Sequence, residues 1–375
     1  MKARLKWNRR WREAQMFARA MASSSHPILA QIIPVRRCNL ACAYCNEYDK
    51  VSPPVPTEVM LRRLDKLRDL GTSIITFSGG EPMLHPDLDV LIRRVRDNGA
   101  IVTLITNGYL LTPRRIKQLN RAGLDYLQIS IDNVQPDDVS KKSLKVLDRK
   151  LQWLAQYADF DITINSVLGS GIRVPEDAYR IAVRARELGF TSTVGILHDG
   201  HGQLTPLNGE QHSVYNRILR LGSGLFSFAH HDSFQQNVAS GLPNQWHCAA
   251  GGRFLYICEE GLVHYCSQQR GRPGIPLLEY TRSDILREGA KPKGCAPFCT
   301  ISCVHPTAML DTFREKPKEA LAGIMERRRQ REPGWKAPVS IRALEWAFLR
   351  DSKMRDKFGM LALKVLRAAG PRQTT

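Results

Sequence analysis

The chain has 375 residues, of which 43% are hydrophobic and 24% charged, a composition that excludes a protein disordered throughout. No run approaches the roughly 18 apolar residues of a spanning helix, and the basic N-terminus lacks the apolar stretch of a secretion signal. The net charge of +19 indicates attraction to phosphates, nucleic acid or anionic lipid headgroups, without choosing among them. We therefore expect a cytoplasmic protein that can also lie at the periphery of an anionic membrane.

Five segments follow one another along the chain. A basic N-terminal helix over 1–27 precedes a sheet region over 28–200, a connector over 201–245, a loop-rich cysteine domain over 246–310 and a basic helical tail over 311–375. Near the end of the tail, apolar residues recur at helical spacing between basic ones. This last helix is expected either to dock on the protein's own core or to lie in a membrane interface.

The sheet region alternates short β-branched runs with stretches of helical period, which is the pattern of repeated βα units. Six strands are predicted, at residues 28–35, 73–78, 101–106, 126–132, 161–168 and 191–197. With right-handed crossovers they predict an α/β fold, a partial (β/α)6 barrel that resembles an incomplete TIM barrel. In such a sheet the functional site forms at the carboxyl ends of the strands.

Three cysteines follow the first predicted strand in "RRCNLACAYCNEY", where Cys38, Cys42 and Cys45 are separated by three and then two residues. A 4Fe-4S cluster takes one thiolate per iron, so three thiolates leave one iron open for chemistry. Nine cysteines in a reducing compartment favour metal or redox chemistry over disulfides. A zinc site completed by His26 or His85 is the alternative.

The triplet, with an aromatic residue before its last cysteine, is followed by Gly-Gly-Glu-Pro after the second strand, and the two motifs together resemble the radical S-adenosylmethionine (SAM) enzymes. The resemblance covers roughly residues 28–200. It implies that the three cysteines bind a 4Fe-4S cluster and that SAM chelates the fourth iron. It also implies cleavage of SAM to methionine and a 5'-deoxyadenosyl radical, which in most relatives abstracts a hydrogen atom from the substrate.

The resemblance further implies which residues contact SAM. Tyr44 is expected beside the adenine. The methionine amino group is expected to be lined by Gly79, Gly80, Glu81 and Pro82. The glycines would allow close backbone approach, and Glu81 would offer a hydrogen-bond acceptor.

Polar residues on the fourth and fifth strands are further candidates for contacts to the SAM ribose and carboxylate. Ser130 and Asp132 share one strand face by alternation, and Asn165 is expected to point toward the same interior. The alternative is that these side chains only satisfy buried backbone groups. The Thr-Asn-Gly motif at 106–108 is a weaker signal at the end of the third strand.

A second group of cysteines begins at Cys248, from which twelve residues lead to Gly261 and four more to Cys266. This spacing resembles the SPASM and Twitch extensions of radical SAM enzymes, in which a hairpin brings two thiolates to an auxiliary cluster. One auxiliary 4Fe-4S cluster is predicted, with a four-thiolate zinc site as the alternative. Five cysteines are candidate ligands for it: Cys248, Cys266, Cys295, Cys299 and Cys303. The late trio departs from the family spacing, and Cys258 is the weakest candidate.

The sequence thus predicts a radical SAM enzyme that acts on an unactivated C–H bond. Its substrate is open among a small polar molecule, a lipid-associated molecule and a peptide. Only 37 residues precede Cys38, where peptide-modifying relatives carry a leader-binding domain, and this together with the basic ends favours an anionic or lipid-associated substrate. A reducing electron donor such as a flavodoxin or ferredoxin is expected as a partner.

The rival hypothesis is a zinc-stapled nucleic-acid-binding protein, suggested by the charge and the clustered cysteines. Such a protein would stack bases on aromatic side chains along a basic groove. Aromatic residues make up only 7% of the chain, and it carries no RNA-binding signature. Both observations argue against nucleic acid as a partner.

Overall fold

The computed structural model describes residues 2–197, 204–221 and 231–331, together with positions 334, 336 and 342. The helix predicted near the end of the basic tail therefore lies outside the described residues. Among the residues described, no helix combines the length and apolarity that crossing a membrane requires.

Six parallel strands form the centre of the fold, and they lie side by side in chain order. They are β1 (Leu29–Val35), β2 (Ile74–Gly79), β3 (Ile101–Thr106), β4 (Tyr126–Ser130), β5 (Asp161–Gly169) and β6 (Thr191–Leu197). The sheet does not close, which confirms the partial (β/α)6 barrel. One boundary was wrong, because β4 ends at Ser130 and Asp132 therefore stands beyond the strand whose face it was expected to share.

Five helices cover the outer face of these strands: α2 (Thr57–Asp69), α3 (Leu88–Asp97), α4 (Pro113–Ala122), α5 (Leu144–Tyr157) and α6 (Glu176–Glu187). Helix α4 shows how local sequence sets the boundaries. Thr112 accepts a hydrogen bond from the Arg115 N–H at 3.2 Å, and Gly123 adopts φ of 88°, which favours glycine over other residues. Alternate strand residues such as Phe77 and Ile129 are fully buried against the helices, so the main core lies between the sheet and its helical layer.

The sheet also extends beyond the barrel on the other side of β1. Strand β7 (Phe254–Ile257) pairs in parallel with β1, and it is followed by two antiparallel strands, β8 (Leu262–His264) and β9 (Pro273–Pro276). The result is one nine-stranded sheet that crosses the predicted boundary at 245/246. The remaining helices after the barrel are α7 (Gly209–Leu221), α8 (His231–Ala239), α9 (Arg282–Ala290), α10 (His305–Glu315) and α11 (Pro317–Arg331).

The N-terminal helix α1 (Lys2–Ala22) crosses the amino ends of the barrel strands. Arg9 donates to Asp161 at 2.5 Å, and Arg12 donates to Asp125 at 2.5 Å. These two carboxylates stand where β5 and β4 begin. Helix α1 therefore occupies the amino edge of the sheet. The site described next lies at the opposite edge, where the strands end.

Candidate functional site

The loop after β1 carries the three cysteines of the predicted cluster site. Its two ends are joined by backbone bonds, since the Cys38 N–H donates to the Asp49 carbonyl at 3.0 Å and the Asp49 N–H donates to the Arg36 carbonyl at 3.2 Å. Burial raises the pKa of the Cys38 and Cys45 thiols, and the neighbouring Cys42 sulfur adds to both shifts. The structure therefore brings all three thiols together at the carboxyl end of β1.

The turn after β2 packs its backbone directly against the start of this loop. A Cβ atom on Gly80 would lie 2.0 Å from the carbonyl oxygen of Arg36 and 2.4 Å from that of Arg37. On Gly79, where φ is 116°, a Cβ would lie 2.5 Å from Ile33. The close approach in the structure joins the glycine turn to the cysteine loop of the same chain, and an approach of these glycines to SAM stays a prediction.

Glu81 and Pro82 continue that turn. Pro82 begins a short 3-10 helix and is buried, and the Glu81 side chain is fully buried. The Glu81 carboxylate accepts hydrogen bonds from the Met83 N–H at 3.0 Å, the Thr106 hydroxyl at 2.7 Å and the Asn107 N–H at 2.8 Å. The Glu81 side chain therefore joins the ends of β2 and β3. A contact between this turn and the methionine amino group stays a prediction.

The Thr-Asn-Gly motif at 106–108, a weaker signal in the sequence, contacts the cysteine loop. The Asn107 amide donates to Asn39 Oδ1 at 2.7 Å and approaches Cys38 Sγ at 3.7 Å. Its backbone is held by Glu81, as described above. Sequence reasoning could have ranked Asn107 higher, because it follows β3 as the glycine turn follows β2 and strand ends share one rim.

A cluster of hydrogen-bonded polar side chains packs against the cysteine loop, and the sequence did not predict this cluster. The Tyr44 hydroxyl donates to Asp132 at 2.5 Å, and Lys142 Nζ lies 2.9 Å from the same carboxylate while bonding the Tyr44 hydroxyl. The Lys142 ammonium also stands 5.0 Å from the centre of the Tyr44 ring. Ser140 donates to Asp132 at 2.7 Å and approaches Cys42 Sγ at 3.6 Å. The segment after β4 thus contacts the cysteine loop through Asp132, Ser140 and Lys142.

The inner face of the barrel is polar. Ser130 and Asn165 lie in register on β4 and β5, and Asn165 Oδ1 accepts a bond from the Thr193 hydroxyl at 2.9 Å. Half-buried polar side chains occupy alternate strand positions that the helices leave uncovered: Gln31, Thr103, Gln128, Ser130, Asn165 and Thr193. The structure places both predicted residues on this inner face, and their contact with SAM stays a prediction.

Four cysteines of the second group gather around the β7–β8 hairpin. Cys248 precedes β7 and Cys266 follows β8, with Gly261 in the turn at φ of 87°. Burial raises the pKa of Cys266 to about 12, and the Cys248 and Cys295 thiols contribute to that rise. The pKa of Cys299 is raised by burial and by the same three sulfurs. These four thiols therefore lie within electrostatic reach of one another.

Two further cysteines pack near that group but have polar neighbours of their own. Cys303 Sγ lies 3.8 Å from Gln31 Oε1 on the inner face of β1, and burial raises its pKa to about 12, with Cys266 and Glu47 adding to the rise. Cys258 is fully buried, and burial together with a bond to Glu260 raises its pKa to about 11. Glu47 Oε1 accepts from the Tyr256 hydroxyl at 2.5 Å. The Glu47 carboxylate helps to raise the pKa of both Cys45 and Cys303, so it lies within electrostatic reach of both thiols.

The two zinc alternatives would require each group of thiols to converge closely. Tetrahedral zinc with Zn–S bonds of about 2.3 Å brings its sulfurs to within about 4 Å of one another. Within the described part of the chain, the only three metal-ligating groups that converge within 4.8 Å are Cys258, Glu259 and Glu260. In this group Glu259 already bonds Arg36 and Arg270 at 2.9 Å each.

Neither histidine can complete the first triplet. His85 uses both ring nitrogens locally, with Nε2 bonding the Val55 carbonyl at 2.8 Å and Nδ1 accepting from the Asp87 N–H at 3.2 Å. His26 precedes β1, at the opposite edge of the sheet. The chemistry of the donor set, three thiols beside a glycine turn, fits an iron-sulfur cluster with one open iron.

Comparison with known proteins agrees with this arrangement. Residues 32–204 match the family model described as "Radical SAM superfamily". The PqqA peptide cyclase of Granulibacter bethesdensis is 31% identical over 176 residues, covering 44% of this chain and 45% of that protein. The AdoMet-dependent heme synthase of Methanosarcina barkeri is 33% identical over 159 residues, covering 40% and 45%. The chain thus spans less than half the length of these two relatives.

Solved structures share the fold. Streptococcus suis SuiB bound to the precursor peptide SuiA superposes with a TM-score of 0.51 at 14% identity, covering 78% of this chain and 66% of that one. Native anSMEcpe with bound AdoMet and Cp18Cys peptide gives 0.51 at 14% identity, covering 80% and 99%. None of these matches supports the nucleic-acid alternative. Residues 32–204 thus form a domain that matches the radical SAM superfamily.

Proposed function

We propose that this chain is a radical SAM enzyme with two 4Fe-4S clusters that abstracts a hydrogen atom from a peptide. The observation that carries the proposal is the joining of the cysteine loop after β1 to the glycine turn after β2, inside a domain that matches the superfamily. A 4Fe-4S cluster held by Cys38, Cys42 and Cys45 would supply the electron for cleavage of SAM, and with it the radical that abstracts hydrogen. The chain's own residues hold the cluster and orient SAM and substrate.

Cys38, Cys42 and Cys45 would hold three irons and leave the fourth for SAM. Gly79 and Gly80 fix the turn on which the methionine part would rest, and Tyr44 is held in place by its two buried partners. Ser130 and Asn165 line the interior, where they can donate to and accept from a bound polar group. A low-potential donor such as a flavodoxin or ferredoxin belongs to the same proposal.

The auxiliary cluster is proposed on Cys248, Cys266, Cys295 and Cys299. The pKa of Cys299 is raised by the other three thiols, whereas Cys303 Sγ lies 3.8 Å from Gln31 Oε1 and Cys258 bonds Glu260. Burial raises the pKa values of Cys248, Cys266 and Cys299, so protons must leave these thiols when metal binds, and cluster loading should be favoured at higher pH. Four thiolates would saturate this cluster, which suits electron transfer.

A peptide is favoured over the lipid-associated substrate expected from the basic ends. The relatives include a PqqA peptide cyclase, and the two solved structures carry peptides. The inner face also bears amide and hydroxyl side chains such as Gln31, Gln128 and Asn165. A peptide can exchange hydrogen bonds with amide and hydroxyl side chains of this kind, whereas an alkyl chain cannot.

The test uses protein reconstituted anaerobically with iron and sulfide, then given SAM and dithionite. We expect 5'-deoxyadenosine from the wild type and none from Cys38→Ala. Adding deuterated cell fractions then identifies the substrate class. Deuterium should enter 5'-deoxyadenosine from the peptide fraction. Deuterium from the lipid fraction alone would overturn the assignment of a peptide substrate. If SAM stays intact, the proposal that the protein is a SAM-cleaving enzyme is overturned.

A further inference from the structure

Helix α1 packs against the barrel through its polar side. Arg9 is only 8% exposed and donates to the Asp125 carbonyl and to Asp161, while Arg12 bonds the Asp125 side chain. Glu13 accepts from the Tyr126 hydroxyl. A surface helix normally turns its apolar stripe inward and its charges outward. In α1 this relation is reversed.

The outward side of α1 is aromatic. Trp7 is 70% exposed and Trp11 is 59% exposed, whereas the ring of Phe17 lies 6.3 Å from that of Phe313. Trp7 and Trp11 are four residues apart and therefore share one helix face. Large exposed aromatic surface is unfavourable in water and marks an interaction site when it is contiguous.

The charge of the helix indicates the chemistry of the partner. Within Lys2–Ala22 there are seven basic residues and one acidic residue, Glu13. Two of the basic side chains, Arg9 and Arg12, bond to the barrel, whereas Arg10 is exposed near the tryptophans. Tryptophan favours the interface between water and hydrocarbon, and basic residues are attracted to anionic headgroups.

We propose that the outer face of α1, formed by Trp7, Arg10 and Trp11, binds an anionic lipid surface. The helix lies flat across the amino edge of the sheet, which suits a helix that rests in the membrane plane. The cysteine loop is at the other edge, about 20 Å away for strands of this length. Membrane contact therefore leaves the mouth of the site facing away from the bilayer, and it does not depend on the proposed chemistry.

The experiment measures co-sedimentation of the reconstituted full chain with phosphatidylcholine vesicles and with vesicles containing an equal amount of phosphatidylglycerol. Binding is expected only with the anionic lipid and should weaken with salt. The double variant Trp7→Ser/Trp11→Ser should bind at least about tenfold more weakly, and Arg10→Gln should bind measurably more weakly. The matched control Val174→Ser/Leu242→Ser, which removes exposed apolar side chains elsewhere, should bind like the wild type.

Melting temperature and iron content show whether the variants fold. As a second readout, brominated acyl chains should quench the tryptophan fluorescence of the wild type when phosphatidylglycerol is present. The proposal is overturned if anionic vesicles fail to bind, if the tryptophan variant binds equally well, or if no quenching occurs. It is also overturned if the protein self-associates through this face, so that the tryptophan substitutions abolish a dimer instead.

Discussion

Lys142 Nζ lies 2.9 Å from Asp132 Oδ2 and also bonds the hydroxyl of Tyr44, the residue before the third cluster cysteine. Burial acts to lower the pKa of Lys142, but Asp132, Tyr44 and Cys42 outweigh burial and hold the pKa well above its usual value. Lys142 is therefore a permanent buried cation beside the cysteine loop.

Replacing Lys142 by Met should make the midpoint potential of the first cluster more negative. A nearby positive charge favours the reduced, more negative state, so its removal should shift the potential by on the order of 50 mV. Potentiometric titration followed by electron paramagnetic resonance measures the shift. Lys150→Met is the matched control, since Lys150 bonds the backbone carbonyls of Tyr109 and Leu111. Equal potentials in both variants would refute the electrostatic role.

Glu81→Gln should destabilise the protein by about 1–3 kcal/mol, because the new amide group would face a backbone N–H in place of an acceptor. The native carboxylate accepts three bonds in a fully buried position. Urea unfolding of the apoprotein measures the loss. Glu58→Gln, at an exposed position of α2, should leave stability unchanged. A Glu81 variant as stable as the wild type would show that the bonds contribute nothing.

Gly80→Ala should prevent loading of the first cluster. Its Cβ would overlap two carbonyl oxygens of the cysteine loop, and backbone atoms cannot move aside as a flexible side chain can. We expect destabilisation by about 3 kcal/mol or more and iron content reduced by about half. Gly209→Ala provides the control, because a Cβ there meets nothing within 4 Å. Normal iron loading in the Gly80 variant would contradict the observed packing.

Stability should fall as pH decreases below about 6.5, partly through His26. Burial lowers the pKa of His26 to about 3, and the charge of Arg253 adds to the effect. The unfolded chain takes up this proton near its ordinary value, so each pH unit down to about 3 costs up to about 1.4 kcal/mol. Denaturant unfolding across this window should show a shallower slope for His26→Gln, while the exposed control His247→Gln should follow the wild type.

The auxiliary ligand set can be tested by iron analysis. Alanine at Cys248, Cys266 or Cys299 should lower the iron content from about eight to about four per chain. Serine at Cys303 or Cys258 should leave about eight, because these thiols turn to Gln31 and Glu260. Loss of iron from Cys303→Ser with retention in Cys295→Ala would exchange the roles of these two cysteines.

Much of the barrel could be read from the sequence because its signals are local. Strand β6 lies at the predicted residues, and the other barrel strands begin within one residue of prediction. Pro113 starts α4 as expected, since its fixed φ suits the first helical turn. The attachment of β7 to β1 could not be read, because pairing between strands more than 200 residues apart leaves no local pattern.

The candidate site likewise has some residues that the sequence identifies and others that only the structure brings together. The cysteine triplet and the glycine turn are visible as motifs, because cluster binding and close backbone approach restrict residue type at short spacing. Lys142 and Tyr44 are 98 residues apart, and nothing near either one in the chain indicates that they meet. Likewise, the alternation on β4 predicted a shared face for Asp132, and the end of the strand at Ser130 redirected it.

By itself, the sequence determined the order of βα units, the early thiol triplet and the hairpin spacing of the late cysteines. Each depends on residue type at fixed short intervals, which backbone geometry converts directly into local structure. Only the tertiary structure decided which late thiols approach one another, which lysine stands behind the cysteine loop and which side of α1 faces outward. Those features depend on distances between segments far apart in the chain, and such distances are set by packing of the whole fold.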